Sequence, residues 1–304
     1  MLPTDHPLLA RLLHQVIPAM ATPLSADGYQ VNPAVVPALV DFLVERGVGG
    51  LFVGGTTGEG ILLELDERRR LHAHSLAAAR GRVPVLAHVG ANDLRAATDL
   101  AAHAAQIGVD AVVAVTPYFY PLADSALLNY FTRLAEAAGD LPFFAYDIPQ
   151  MAVNGISPAL LRQLAARIPN FAGLKTSRTD MQVVRQLLDA APEGVLVLAG
   201  NEPILLGSLA LGAHGAISGL ATAVPEPFVA LLRAFAAGRL DEARRWQRVI
   251  NQMLAVFPAG ERISGVKAVL AARGVAVGPP VSPSELGSAE IWSRLASRLE
   301  SSGE

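Results

Sequence analysis

Eight short apolar runs alternate with longer amphipathic stretches along the first 224 residues of this chain. They occupy residues 16–20, 50–55, 83–89, 110–117, 141–149, 171–177, 195–200 and 214–220. Each run is apolar on both faces and flanked by turn residues. That is the pattern of a parallel strand covered on two sides. Helical patterns lie between them. Asn32-Pro33 and Ser157-Pro158 read as an N-cap followed by a first-turn proline, and Asp66, Asp93, Asp124 and Asp180 precede further helices. Eight such alternations predict an α/β protein, a (β/α)8 TIM barrel. A doubly wound open sheet is the rival, but no G-x-G-x-x-G follows the first run. Residues 1–224 are expected to form the barrel core. Residues 225–304 are expected to supply the last barrel helix and a C-terminal helical extension, around 240–256, 262–273 and 284–299, as one structural unit.

Composition narrows the function classes. The chain is 52% hydrophobic and 17% charged, with a formal net charge of -3 and no cysteine. Disulfides, thiolate metal sites and a cysteine nucleophile are excluded. Without a basic stripe to neutralise phosphates, nucleic acid is not an expected partner. The apolar runs are too short and interrupted for a membrane span, and the first 15 residues do not resemble a signal peptide. A soluble, cytoplasmic protein is expected. The cations are uneven: of 24 Lys and Arg, only Lys175 and Lys267 are lysine. Where arginine serves as the general surface cation, a retained lysine can mark a need for an amine, or be a leftover of composition.

A barrel of this type places chemistry at the carboxyl ends of its strands. Lys175 falls there, at the end of an apolar run. Burial disfavours its charged form, and a neutral amine is what Schiff-base chemistry with a ketone requires. The alternative is a structural lysine paired with Glu59 or Glu202. Lys267, on a C-terminal helical stretch, reads as structural or interfacial. Tyr146 ends the preceding run, one strand spacing from Lys175, where a phenol can shuttle protons; the alternative is a core tyrosine with its hydroxyl capped. The turn Gly54-Gly55-Thr56-Thr57-Gly58-Glu59 offers backbone N–H groups and two hydroxyls to a carboxylate. It lacks a P-loop ending, and tight strand-to-helix turns often carry glycines for shape alone. The histidines show no ligand spacing, so neither a metal nor another cofactor is expected.

Together, GGTTGE, VTPYFYP, the tyrosine of FAYDIP, the lysine of FAGLKTS and GVKAVLAARGVAVGPP resemble the dihydrodipicolinate synthase / N-acetylneuraminate lyase family of class I, pyruvate-dependent aldolases. The resemblance runs from about residue 16 to residue 283. It implies a homotetramer of barrels, with pyruvate and an aldehyde as small-molecule partners. It implies Lys175 as the Schiff-base residue, Tyr146 as proton shuttle and Thr56 as its relay. Thr57 and the backbone of the turn, Gly55 included, would hold the pyruvyl carboxylate, with Ile217 lining that pocket. Asn201, Glu202, Ser177 and Met151 would meet the rest of the substrate.

Four positions depart from the family pattern, one of them Asn201, where the neuraminate lyase branch has an aspartate beside the glutamate kept here as Glu202. Met151 stands where the synthase branch has an arginine for its aldehyde's carboxylate, and an apolar side chain cannot make that bidentate contact. Phe119 replaces a tyrosine that reaches the neighbouring subunit's site. Asp147 stands where asparagine is common. The expected activity is cleavage or formation of a 4-hydroxy-2-oxo acid of the 2-oxo-3-deoxy sugar acid class. A dihydrodipicolinate synthase, a 2-oxo-3-deoxy acid dehydratase and a catalytically silent pyruvate-binding barrel are the alternatives.

Overall fold

The computed structural model describes residues 6–258, 260–281 and 283–300. Its strands are β1 (Val16–Pro18), β2 (Leu51–Val53), β3 (Val85–His88), β4 (Ala111–Val115), β5 (Phe143–Asp147), β6 (Phe171–Thr176), β7 (Leu196–Ala199) and β8 (Gly215–Ser218). Each lies inside one of the apolar runs. All paired neighbours are parallel, in the order β1-β8-β7-β6-β5-β4-β3-β2. A bridge between Ala19 and Phe52 joins the last pair and closes the barrel, with the Met20 N–H donating to the Phe52 carbonyl at 2.9 Å.

The helices are α1 (Pro7–Leu12), α2 (Val36–Glu45), α3 (Leu65–Ala79), α4 (Leu94–Ile107), α5 (Asp124–Ala137), α6 (Pro149–Ala152) and α7 (Pro158–Arg167), then α8 (Met181–Ala190), α9 (Leu205–Ala210), α10 (Glu226–Ala236), α11 (Leu240–Leu254), α12 (Arg262–Ala272) and α13 (Glu290–Glu300). The strands bury both faces because two packed layers meet at them. Ile17, Phe52, Leu86, Val113, Phe144 and Leu198 fill the barrel interior. Leu174, Val112 and Ala145 face the helices outside. Helix α1 adds Leu8, Leu9 and Leu12 to the interior cluster, and the His14 N–H beyond it donates to the His214 carbonyl at 2.6 Å, just before β8. The amino-terminal end of the barrel is thereby sealed, and the carboxyl end is left for the site. No described helix is long and apolar enough to cross a membrane.

Several helix starts differ from the sequence reading. Asp93, Ser157 and Asp180 do cap α4, α7 and α8. Asn32 does not cap α2: its side chain accepts from the Ala34 N–H in a turn, and the helix starts at Val36. Asp66 and Asp124 sit inside the first turns of α3 and α5, where a carboxylate meets the positive end of the helix dipole. The last helix opens at Glu290 rather than near 284. Gly287 explains the delay, because it lies backbone to backbone on α12. A Cβ there would sit 2.9 Å from the Gly265 Cα, and a helical turn would need that space.

Candidate active site

Strand register brings the two central groups together. Tyr146 on β5 pairs directly with Lys175 on β6. Leu174 faces outward, so Lys175 points into the barrel. Its ammonium nitrogen lies 3.8 Å from the centroid of the Tyr146 ring and 4.5 Å from that of Phe52. Only 4% of Lys175 is exposed. Burial lowers the pKa of the amine from its ordinary 10.5, opposed by Tyr146 and then by the more distant Glu202. The two carboxylates that could have made Lys175 a structural ion pair are engaged elsewhere. Glu59 pairs with Lys267 at 2.9 Å, and Glu202 pairs with Arg262. Lys175 is therefore a buried amine held by aromatic faces.

The Tyr146 hydroxyl hydrogen-bonds Thr56 Oγ1 at 3.2 Å. Thr56 and Thr57 sit in a turn folded tightly on itself, and the glycines around them are geometric requirements. Gly54 has φ +73. A Cβ on Gly60 would lie 1.9 Å from the Gly54 carbonyl oxygen, and one on Gly55 would strike the Phe52 ring at 2.2 Å. Gly55 therefore lets Phe52 pack beneath the turn and face Lys175. Thr22 donates to the Gly58 carbonyl at 2.5 Å and fastens the turn to the segment after β1. Opposite, Gly219 leaves room for Thr57, since a Cβ there would lie 2.6 Å from its Oγ1. Ile217 is buried in the same interior cluster as Tyr146 and Phe52.

The remaining predicted residues form a rim. Asp147 is fully buried. Its carboxylate accepts from Arg178 Nε at 2.8 Å and Nη2 at 3.1 Å, from Thr176 Oγ1 at 2.9 Å and from the Ile156 N–H at 2.8 Å. This accounts for an aspartate where an amide is common, because a neutral side chain could not neutralise the bidentate guanidinium. Asn201 donates to the Arg178 carbonyl, and the Ser177 carbonyl accepts from Gln150. The Glu202 carboxylate accepts from Ser218 Oγ and the Leu220 N–H. With Arg262 on its other oxygen, both oxygens of Glu202 are engaged. Met151 and Phe119 stand outside this cluster, 65% and 74% exposed. Phe119 has φ +79 and packs edge-to-face on Tyr120. Neither reaches Lys175 within a single chain.

Sequence reasoning missed Phe52, Arg178, Arg262 and Gly219. Phe52 was within reach of the alternation rule, being the inward residue of a three-residue strand. Arg178 follows Lys175 by three positions, but only the fold shows that it turns back onto Asp147. No local signal marked Arg262, which comes from α12. Among the described residues, no three His, Cys, Asp or Glu side chains are grouped to hold a metal ion.

A closed parallel barrel that gathers a buried amine, a tyrosine and a hydroxyl-bearing glycine turn at the carboxyl ends of its strands is the class of scaffold on which barrel enzymes place their sites. The chain belongs to the dihydrodipicolinate synthetase family, whose model matches residues 12–300. It is 34% identical to a 4-hydroxy-tetrahydrodipicolinate synthase of Exiguobacterium sp., over 94% of this chain and 96% of that one. It is also 34% identical to an N-acetylneuraminate lyase of Rhizobium meliloti, over 89% of each. A solved structure of a Ruminococcus gnavus sialic acid aldolase, in a catalytic lysine mutant, superposes with TM-score 0.91 at 28% identity, over 97% of this chain and 98% of that one. Membership makes the chain a lyase of the class I aldolase type.

Proposed function

We propose that this enzyme cleaves or forms a 4-hydroxy-2-oxo acid of the 2-oxo-3-deoxy sugar acid class, with pyruvate as the three-carbon product or donor. One observation carries the reading: Lys175 is a buried amine with its pKa lowered, packed on a tyrosine that is itself bonded to Thr56. The neutral amine attacks the ketone carbon, and loss of water leaves a protonated imine. Removal of the proton on the C4 hydroxyl then lets the C3–C4 bond break. Its electron pair enters the imine, and the aldehyde leaves. The enamine takes a proton at C3, and hydrolysis frees pyruvate and the lysine. Tyr146 carries the protons at nitrogen and oxygen, with Thr56 as relay. Thr57 and the N–H groups around Gly55 hold the carboxylate, and Ile217 packs on the pyruvyl carbons. Ser177, Asn201 and Glu202 form the polar rim for the remainder, with Met151 at its edge. The chemistry calls on no metal and no dissociable cofactor.

The assembly belongs to the same proposal. Phe119 and Tyr120 project from one barrel as an exposed aromatic pair, which fits a homotetramer in which Phe119 approaches a neighbour's site. The cytoplasm is the proposed compartment.

Borohydride reduction in the presence of pyruvate tests the Schiff base. The peptide containing Lys175 is expected to gain one reduced pyruvyl group, and an unmodified Lys175 would overturn the mechanism. A panel of 2-oxo-3-deoxy acids with pyruvate detection then identifies the aldehyde. The similarity to a synthase supports a second reading, and appreciable turnover of pyruvate with aspartate semialdehyde would establish it over the first. Exposed, apolar Met151 counts against that outcome.

Gly219→Ala tests the carboxylate cradle. The added methyl meets Thr57 Oγ1, and Glu202 braces Ser218 and Leu220 on either side of residue 219. Thr57 must therefore turn away. The half-saturating pyruvate concentration in the trapping assay is expected to rise about tenfold, equivalent to ~1.4 kcal/mol of lost binding. An unchanged value would remove Thr57 from the cradle.

A further inference from the structure

The second retained lysine has no place in the mechanism above, yet it is fully buried. Lys267 lies on α12, and its ammonium donates to the Pro279 carbonyl at 2.7 Å. It also forms an ion pair with Glu59 Oε2 at 2.9 Å. The other oxygen, Glu59 Oε1, accepts from the Val281 N–H at 2.7 Å. Glu59 is the last residue of the GTTGE turn and holds φ +55, a conformation that side-chain-bearing residues adopt reluctantly. Its own N–H donates to the Thr56 carbonyl at 3.0 Å.

We infer that Lys267 is a positioning residue: through the Glu59 carboxylate it fixes the turn that aims Thr56 at Tyr146 and presents Thr57 to the substrate carboxylate. The inference rests on the Schiff-base reading of the site. Three features support it. Glu59 is bound to the C-terminal segment through both carboxylate oxygens, so the turn cannot shift without breaking a buried contact. A buried carboxylate stripped of its cation must take up a proton or move toward water, and movement here carries Thr56 with it. The position also explains a lysine in a chain that otherwise uses arginine. The ammonium reaches the Pro279 carbonyl and Glu59 at once from a fully enclosed site, where a planar guanidinium would need more room. The C-terminal extension is thus coupled to the catalytic turn rather than being an independent appendage.

The test uses the full chain as Lys267→Met, which keeps the length and apolar stem of the side chain and removes its charge. Pyruvate trapping by borohydride is titrated in parallel with thermal melting. The parent protein must first trap pyruvate on Lys175; if it does not, the Schiff-base reading fails and the inference falls with it. If it does, Lys267→Met is expected to trap fully at saturating pyruvate, with the half-saturating concentration raised about tenfold and kcat reduced. Should Lys267→Met fail to fold, Glu59→Gln takes its place. The amide keeps an acceptor for Val281 but loses the charge, and a rise of about threefold is expected. Leu134→Ala, which opens the core under α5 and leaves α12 untouched, is the control for lost stability. A folded Lys267 or Glu59 variant with unchanged half-saturation would overturn the inference. So would an equal rise in Leu134→Ala at a matched loss of melting temperature.

Discussion

Lys175→Met is expected to abolish pyruvate trapping and to lower turnover by at least ~10³-fold, as removal of a covalent nucleophile does, while raising the melting temperature. The two effects share a cause. Burial lowers the Lys175 pKa below 10.5, so the folded protein holds this proton less tightly than the unfolded chain. Between the two pKa values the unfolded state binds more protons, and stability falls as pH decreases through that window. Methionine abolishes the linkage. Its stabilising effect should therefore be absent well above pH 10.5, where the amine is neutral in both states, and should grow as pH falls below it. Lys175→Arg should not restore activity, because a guanidinium stays protonated and cannot attack a ketone. Thermal melts at several pH values, run beside the trapping assay, check both halves. Appreciable trapping in either variant would place the nucleophile elsewhere. A pH-independent Tm difference would mean that burial does not lower the pKa of the amine.

Acid should unfold this protein in a step set by histidine rather than by carboxylates. His72 is fully buried on the inner face of α3, and neither ring nitrogen has a hydrogen-bond partner. Burial, reinforced by Arg68 and then His103, brings its pKa from 6.5 down to about 3. Burial, and then the charge of Arg68, also hold His88 well below 6.5. Both groups are neutral in the fold and protonate on unfolding, so stability is lost as pH drops below 6.5. His72 contributes ~1.4 kcal/mol per pH unit once the pH is well below 6.5. His72 alone removes about 2 kcal/mol between pH 6.5 and 5, and His88 acts in the same direction, against a typical domain's ~5–15 kcal/mol. Carboxylates such as Glu226, whose pKa is held below 4.5 chiefly by hydrogen bonding to Arg273 against the cost of burial, lose their stabilisation only at lower pH. His72→Leu should raise the urea midpoint at pH 5 and reduce the pH slope by about one proton. An unchanged slope would show that His72 does not carry the acid sensitivity.

The candidate site was legible where its positions follow from strand ends. Lys175, Tyr146 and Thr56 end or follow apolar runs in the sequence, and the barrel rule alone puts such positions at one mouth. Their direct neighbours were partly hidden. Asp147 was visible as an oddity, but its bidentate partner Arg178 was not. Glu59 and Glu202 were the two carboxylates that could have neutralised Lys175, and the sequence left that choice open. The structure assigns Lys267 to one and Arg262 to the other. Helix starts show the same division. Asp93 and Ser157 cap because the donors they meet are two or three residues away. The opening of α13 depends instead on Gly287 packing against a helix formed earlier in the chain.

Strand and helix identity, the barrel, and the positions of the amine and phenol came from periodicity and turn chemistry. Those signals act over a few residues and need no knowledge of distant chain. What the folded molecule alone decided is which charges neutralise one another and which amine is left without a carboxylate. Pairing of buried charges is settled by distance in space, and the N–H of Val281 reaches Glu59 across 222 residues of sequence. No window along the chain can contain that contact. It exists only once the barrel has closed and α12 has packed behind the turn.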